Sequence, residues 1–453
     1  KKYSKKMSQL ARVWILATLP GTLFQLEAHT WELGPFVRME SENPCLETRP
    51  KTPFNCPLFG RAVFWEAKDV FNPSAVVKNG QVHLLYRAED HDGNLAGTSR
   101  IGLAVSPDGV HFPNELRLSE PVLYPDHDQN ERIEWQGGIE DPRVVESEDG
   151  LYVMTYTAYN GVARLCVATS RDLLSWEKHG PVFAAAHSGA FKDAWTKSGS
   201  IVSTLVGERL VATRIDGQYW MYWGENSIYC AVSSNLIEWT PLLSDTGPEY
   251  RGRPDQPAST LRGMRPLVVF SPRKGYFDSD LVEPGPPAIL TSAGIVFIYN
   301  SKNKWCMHSR SGRCTQGESD PTIPPGTYSA GQVLLDRGDP SKVLNRTAHS
   351  FLAPKMGYEI TGQVANVVFL EGLVVYKGEI FLYYGTADSK IAVARASVSC
   401  LAAPLSSNEV QLSPSPFPSP QSTSEAQLVP LPPPLLRQLL PPPPPPPPPP
   451  PHT

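Results

Sequence analysis

Residues 139–145, IEDPRVV, set Glu140, Asp141, Pro142 and Arg143 directly before an apolar run, where a buried strand is about to begin. Four other stretches share that form, a polar residue beside a proline or small residue and then apolar ones. They are FNPSAVV at 71, TKSGSIV at 196, VEPGPPAIL at 282 and GQVANVVF at 362, so openings recur about 57 to 86 residues apart. Each is followed by a second run that ends in an aromatic and a polar cluster: VHLLYRAED, YVMTYTAYN, YWMYWGEN, IVFIYNSK and IFLYYGTAD. A third run recurs as SRIGLAVSPDGVHF, ARLCVATSRDLLSW, SIYCAVSSNLIEW and KIAVARAS, usually with a serine, a turn residue and a closing aromatic.

Alternating runs rich in Val, Ile, Tyr and Trp, punctuated by Gly, Asn, Asp and Pro, with hardly a helical period between them, make residues 60–400 all-β. One antiparallel sheet per repeat, five times over, predicts a five-bladed β-propeller. Residues 241–275 and 301–330 are read as surface loops on that frame. From about residue 404 the composition turns to Pro, Ser, Gln and Leu and ends in Pro441–Pro451, which predicts an extended, disordered tail. Such a tail fits a polyproline-recognising groove, or is a dispensable low-complexity end.

With 41% apolar residues, 19% charged and a formal net charge of −4, the chain reads as a globular protein with no basic stripe. Nothing in that balance calls for nucleic acid or an anionic membrane as a partner. Seven cysteines form no C-x-x-C pair, and ten histidines are scattered, so no metal site is expected. Cys166 and Cys230 sit in apolar runs; Cys45 with Cys56, or Cys306 with Cys314, are close enough to bridge in an oxidising compartment. Residues 8–28, SQLARVWILATLPGTLFQLEA, have the form of a secretory signal peptide or of an ordinary N-terminal extension. With the NRT sequon at Asn345 this points to a secreted or endomembrane protein, the alternative being cytoplasmic.

In a propeller the first strands of all blades converge on one channel, which gathers Asn72, Asp141, Lys197, Glu283 and Asn366. Carboxylates, amides, a lysine and aromatics around one funnel suit a neutral carbohydrate. Glycosyl transfer needs a proton donor for the leaving oxygen and a base or anion for the nucleophile. Asp141 is the candidate acid. By two-residue alternation Glu140 should point away from it and Arg143 should share its side. Glu225 and Glu283, at corresponding positions of the third and fourth repeats, are candidates to activate water. A lone strand-end carboxylate is commonly a turn or surface group, but three in one register point to chemistry.

Arg87, Arg100 and Lys197 suit sugar hydroxyls or phosphate, and equally interblade ion pairs; Arg143 suits Asp141 or a sugar hydroxyl. Tyr159, Trp223, Tyr384 and Asp388 follow second strands and are candidate pocket residues. Trp176 and Trp239 close third strands and are read as packing.

The ordered motifs NPSAVV, LLYRAE, SRIGLAVSPDG, GGIEDPR, YTAYNG, TKSGSIV, YWGEN, GYFDSDLVEPGPP and YYGTAD resemble glycoside hydrolase family 130 over residues 60–400. That resemblance implies inverting action on β-mannosides (β-1,2 or β-1,4), with Asp141 as proton donor, in some members through a hydroxyl of the sugar itself. Asp278, within GYFDSDLVEPGPP, joins the substrate-binding candidates. The family holds phosphorylases, which grip inorganic phosphate with a basic cluster, and hydrolases, which carry glutamates instead. Glu225 and Glu283 match the second pattern, so hydrolysis is the expectation. Phosphorolysis releasing mannose 1-phosphate is the alternative, and a non-catalytic sugar-binding propeller the third reading. No organic cofactor is implied.

Overall fold

The computed structural model describes residues 31–250, 263–305 and 317–398. The candidate leader and the proline-rich tail lie outside the described residues, as do Cys306 and Cys314. Among the described residues no helix is long and apolar enough to cross a membrane.

Five antiparallel strand groups follow one another along the chain. The first comprises Asp69–Lys78, Gln81–Glu89 and Ser99–Ser106. The second runs Gly138–Glu146, Tyr152–Tyr159, Ala163–Ser170 and Glu177–Pro181. The third is Gly199–Val206, Gln218–Trp223 and Ile228–Ser233. In the fourth, Leu281–Pro284 and Ala288–Leu290 form one interrupted strand against Ile295–Lys302, followed by Tyr328–Leu335 and Val343–Arg346. The fifth is Val368–Tyr376, Glu379–Thr386 and Lys390–Ser397, to whose edge the early strand Val37–Arg38 adds.

Apolar alternation packs these groups face to face. Val145, Leu165, Ile201 and Trp223 share one cluster between the second and third groups, and Val202, Tyr222, Val282 and Phe297 another between the third and fourth. Ala75, Leu84, Val374 and Tyr383 join the first group to the fifth. Side chains on first and second strands also stitch neighbouring groups together. Ser74 Oγ accepts from Val144 N (2.9 Å), Thr155 Oγ1 donates to Gly199 O (2.8 Å), Ser200 Oγ to Pro286 O (2.7 Å) and Asn300 Nδ2 to Leu370 O (2.9 Å). Asn72 Oδ1 lies so close to Gly385 that a β-carbon there would sit 2.2 Å from it, which fixes glycine at that position. The order of strand groups therefore closes on itself.

The recurring serine and turn residue have a common physical role. Ser106, Ser170 and Ser233 each accept the backbone N–H three residues on (2.8, 2.8 and 2.9 Å), and Asp108, Asp172 and Asn235 cap the next two N–H groups. Short side chains thus replace the ladder where each third strand ends.

Two loop assignments change. Val268–Phe270 pairs with the third group's Ile228–Ser233, and Tyr250 is buried in the cluster around Trp223. Likewise Tyr328–Leu335, which begins inside 301–330, is a buried strand. Cys45 and Cys56 are free thiols rather than a bridge.

Candidate active site

Proline has no N–H to give a ladder and a fixed φ, so a strand that contains one bulges. Register shifts occur between Phe71 and Pro73, between Glu140 and Arg143, and between Leu370 and Gly372. Each bulge turns one side chain out of the alternation: Asn72 (φ 46°), Asp141 (φ 51°) and Glu371. The fifth opening is therefore FLEGLVVY, and not GQVANVVF. Asn366 instead precedes the strand, its carbonyl accepting from Tyr328 N (2.9 Å).

Asp141 is buried, its Oδ1 accepting from Asn72 Nδ2 (2.9 Å) and Arg87 Nη1 (3.0 Å), with Lys197 Nζ 3.5 Å from Oδ2. Burial alone would raise its pKa. Arg87, Lys197 and Arg143, with the Asn72 amide, reverse that and hold the carboxyl well below the ordinary range. Because the strand bulges, Glu140 is not turned away as alternation requires: Arg87 Nη2 donates to it (3.0 Å) as well as to Glu89 (2.6 Å). One guanidinium thus serves three carboxylates. Burial, only partly offset by Arg87 and reinforced by the Asp141 charge, pushes Glu140 up.

Lys197 also stands 3.7 Å from Glu283 Oε1, which accepts from Ser198 Oγ (2.5 Å). Glu283 is buried, and burial with the nearby Glu225 charge outweighs Lys197 to raise its pKa. Glu225 is half-buried and accepts from Trp195 Nε1 (2.8 Å); Trp195 in turn meets the Tyr159 ring edge-on at 6.4 Å. Lys197 feels Glu283, Asp141, Glu225 and Glu140 together, and against its burial they keep it charged.

Beneath these lies a group with no sequence forecast. Arg143 does not reach the Asp141 carboxylate. Its guanidinium donates to the carbonyls of Asp141 (3.0 Å), Pro284 (2.8 Å) and Gly285 (3.0 Å) and faces Glu371 Oε1 at 3.0 Å. Glu371 is fully buried, and burial pushes its pKa well up despite Arg143. Two further groups share this electrostatic field. Asp388 is raised to about 7 by burial against the pull of Arg87, and the Tyr328 hydroxyl is raised by burial and Glu283. A polar residue followed by Pro or Gly before an apolar run would have flagged Glu371. Tyr328 carries no such signal.

Four candidates lie elsewhere. Arg100 is fully buried, donating to Asp90 Oδ2 (2.6 Å) and the Thr98 carbonyl (3.1 Å). Trp223 is core, packed on Phe183 and Tyr229. Asp278 and Tyr384 belong to a repeated latch in which a second-strand tyrosine donates to a buried carboxylate that also meets a cation. Its members are Tyr86 with Glu66 (3.0 Å) and Arg117, Tyr156 with Glu134 (3.0 Å) and Lys178, Tyr299 with Asp278 (2.7 Å) and Arg346, and Tyr384 with Glu359 (3.0 Å) and Arg38. Gly102, Cys166, Gly331 and Ala392 make room beside these rings. The latch is packing chemistry, so neither residue is free to meet a sugar.

Among the described residues no group of three or more His, Cys, Asp or Glu is arranged to hold a metal ion. What the geometry gathers around Asp141 and Lys197 is Asn72, Arg87, Glu140, Glu225, Glu283 and Asp388, with Arg143 and Glu371 paired alongside.

A family model described as beta-1,4-mannooligosaccharide phosphorylase matches residues 40–402. The chain is 32% identical, over 73% of its length and 90% of the relative's, to a 1,2-beta-oligomannan phosphorylase of Thermoanaerobacter sp. strain X514. The structure of a glycosyl hydrolase from Bacteroides ovatus is 42% identical with a TM-score of 0.72, covering 82% of this chain and 95% of that one. Equal figures hold for a structure described as belonging to a family of mannoside phosphorylases that contains glycoside hydrolases targeting beta-1,2 mannosidic linkages in Candida mannan. With a match over most of its length and a buried cluster of carboxylates where the family motifs fall, the chain belongs to glycoside hydrolase family 130.

Proposed function

We propose that the five strand groups are the blades of a five-bladed propeller and that its channel cleaves β-mannosidic bonds with inversion, water being the nucleophile. Asp141 protonates the leaving oxygen, and Glu283 with Glu225 activates and positions the water. The observation that carries the choice of water is the occupancy of the cations. Arg87 already serves Glu89, Glu140 and Asp141, Arg143 serves three carbonyls and Glu371, and Lys197 stands between Asp141 and Glu283. A phosphate dianion entering here would meet more carboxylates than free positive charge, at a cost that low dielectric magnifies.

Because both oxygens lie near one ammonium, those of Asp141 and Glu283 are at most about 7 Å apart, so only the top of that span reaches the roughly 6.5 Å at which an inverting pair can hold a water. Asp141 is ionised in the free site. The proton that Asp141 delivers must therefore be taken up on substrate binding, and Glu140, raised to about 7 by burial and held by the same guanidinium, is the neighbouring group that can carry it.

A second reading is phosphorolysis, which the names of the curated relatives favour over hydrolysis: 1,2-beta-oligomannan, beta-1,2-mannobiose and beta-1,4-mannooligosaccharide phosphorylases. Incubation with β-1,2- and β-1,4-mannobiose, with and without inorganic phosphate, separates the two. Mannose formed at a rate indifferent to phosphate is expected. Mannose 1-phosphate formed only when phosphate is present would overturn hydrolysis in favour of the second reading, and binding without turnover would leave a sugar-binding propeller.

A further inference from the structure

Two open clefts lie on the outer edge of the second strand group beside its last strand, Glu177–Pro181. One, of about 590 Å³, includes Tyr124, Asp126, Asp128, Asn130, Trp176 and Lys178. The other, of about 670 Å³, includes Thr169, Arg171, Trp176 and His179. Ser175 and Trp176 belong to both, so the two clefts meet at Trp176 and are treated together as one groove.

Trp176 is not wholly the packing residue its position suggests. Its indole N–H is spent on the Leu173 carbonyl (3.1 Å) and the residue is half-buried, which leaves ring surface and no hydrogen-bonding demand. Tyr124, half-buried on the same wall, keeps its phenol neutral because burial raises its pKa. Asn130, 4% exposed, lines the first cleft, and its Nδ2 has no acceptor among the described residues. That nitrogen is itself buried, so the amide packs beneath the cleft rather than facing a ligand. The only cation of the first cleft, Lys178, is already taken by Asp128 (2.9 Å) and Glu134 (2.7 Å). Glu120 and Asp126 leave that wall acidic, which excludes phosphate or sulfated ligands and suits donors without charge. Ring faces for stacking and carboxylates to accept from vicinal hydroxyls describe the recognition of a neutral pyranose.

We propose that this groove is a second, non-catalytic sugar site that holds a neutral oligosaccharide against Trp176. That the sugar is a mannoside rests on the proposed function; that it is a neutral glycan does not. The site would anchor long chains whose other end is cleaved in the channel.

The test uses the full chain carrying Asp141→Asn, to stop turnover, titrated with β-1,2-mannotetraose, cellotetraose and a sulfated tetrasaccharide. Two mannotetraose sites are expected, and adding Trp176→Ala should weaken one of them about tenfold or more while the other is unmoved. Ser175→Arg, which fills the groove from an exposed position without touching the core, should do the same. In the otherwise unaltered enzyme, Trp176→Ala should leave kcat/KM on mannobiose unchanged and lower it on long mannan. One binding site unaffected by either substitution overturns the proposal, as does preference for the sulfated sugar. Equal affinity for cellotetraose would keep the neutral-glycan site and overturn its mannoside specificity. Groove binding in a protein that turns over no mannoside would sink the catalytic reading and leave this one standing.

Discussion

Replacing Lys197 with methionine tests the electrostatics of the channel most directly. Its ammonium lies 3.5 Å from Asp141 Oδ2 and 3.7 Å from Glu283 Oε1 and is about a fifth exposed. At an effective dielectric constant near 20 each contact is worth about 4–5 kcal/mol, and screening through the exposed fifth brings a working figure of about 2–3 kcal/mol. That equals roughly 2 pKa units on each carboxylate. The signs follow from what remains. Asp141 keeps Arg87 and Asn72 and stays ionised near neutral pH. Glu283, already raised by burial and by Glu225, loses its main counter-charge and rises further. A base must be ionised to act, so the acidic limb of the pH–rate profile should move up by about 1–2 units, with activity at pH 6 falling roughly ten- to hundredfold and partly returning by pH 8. Lys197→Arg should restore most of the original profile. An equal loss at every pH, with the limb unmoved, would refute the reasoning and make Lys197 a contact for the sugar instead.

Asp141→Asn should lower turnover by about 10² to 10⁴, the usual worth of a general acid, with the thermal midpoint nearly unchanged; undiminished rates would remove Asp141 from that role. Glu371, if neutral as its burial requires, should tolerate Glu371→Gln within about 1 kcal/mol of stability, whereas Arg143→Met, which strands three buried carbonyls, should cost about 3–5 kcal/mol in chemical denaturation. A heavy penalty for Glu371→Gln would show an ionised pair. Glu134 is raised to about 7 by burial, against Lys178. A carboxyl raised on folding stabilises fully below its ordinary pKa and loses that contribution as pH rises through the folded value, so the unfolding free energy from urea titrations should fall between pH 5 and 8 by about 3 kcal/mol, and Glu134→Gln should flatten that slope.

The sheets were legible because their signal is local: alternation, and a serine two residues before Asp or Asn that builds the turn closing a third strand. The site was legible only in part, because a bulge defeats the rule that reads the strand. Alternation assigns Glu140 and Asp141 to opposite sides, yet Pro142 breaks the ladder and both reach Arg87. The same device hid Glu371, since NVVF at 366 imitates an opening while the bulge sits at Glu371 and Gly372. The aromatic candidates misled for another reason. Tyr384 and Asp278 meet partners whose spacing along the chain is set by loops, Glu359 twelve residues before Glu371 but Asp278 only five before Glu283, so no linear pattern marks the latch. The dipeptide of a polar residue and then Pro or Gly recurs in all five groups, at Asn72, Asp141, Ser198, Glu283 and Glu371. Asn72, Asp141 and Glu283 put an amide or a carboxylate into the site, Glu371 lies buried against Arg143, and Ser198 holds Glu283 instead. The bulges at Asn72, Asp141 and Glu371 therefore set much of this site's chemistry, and substitution at those three positions should alter catalysis while the alternating residues between them carry stability.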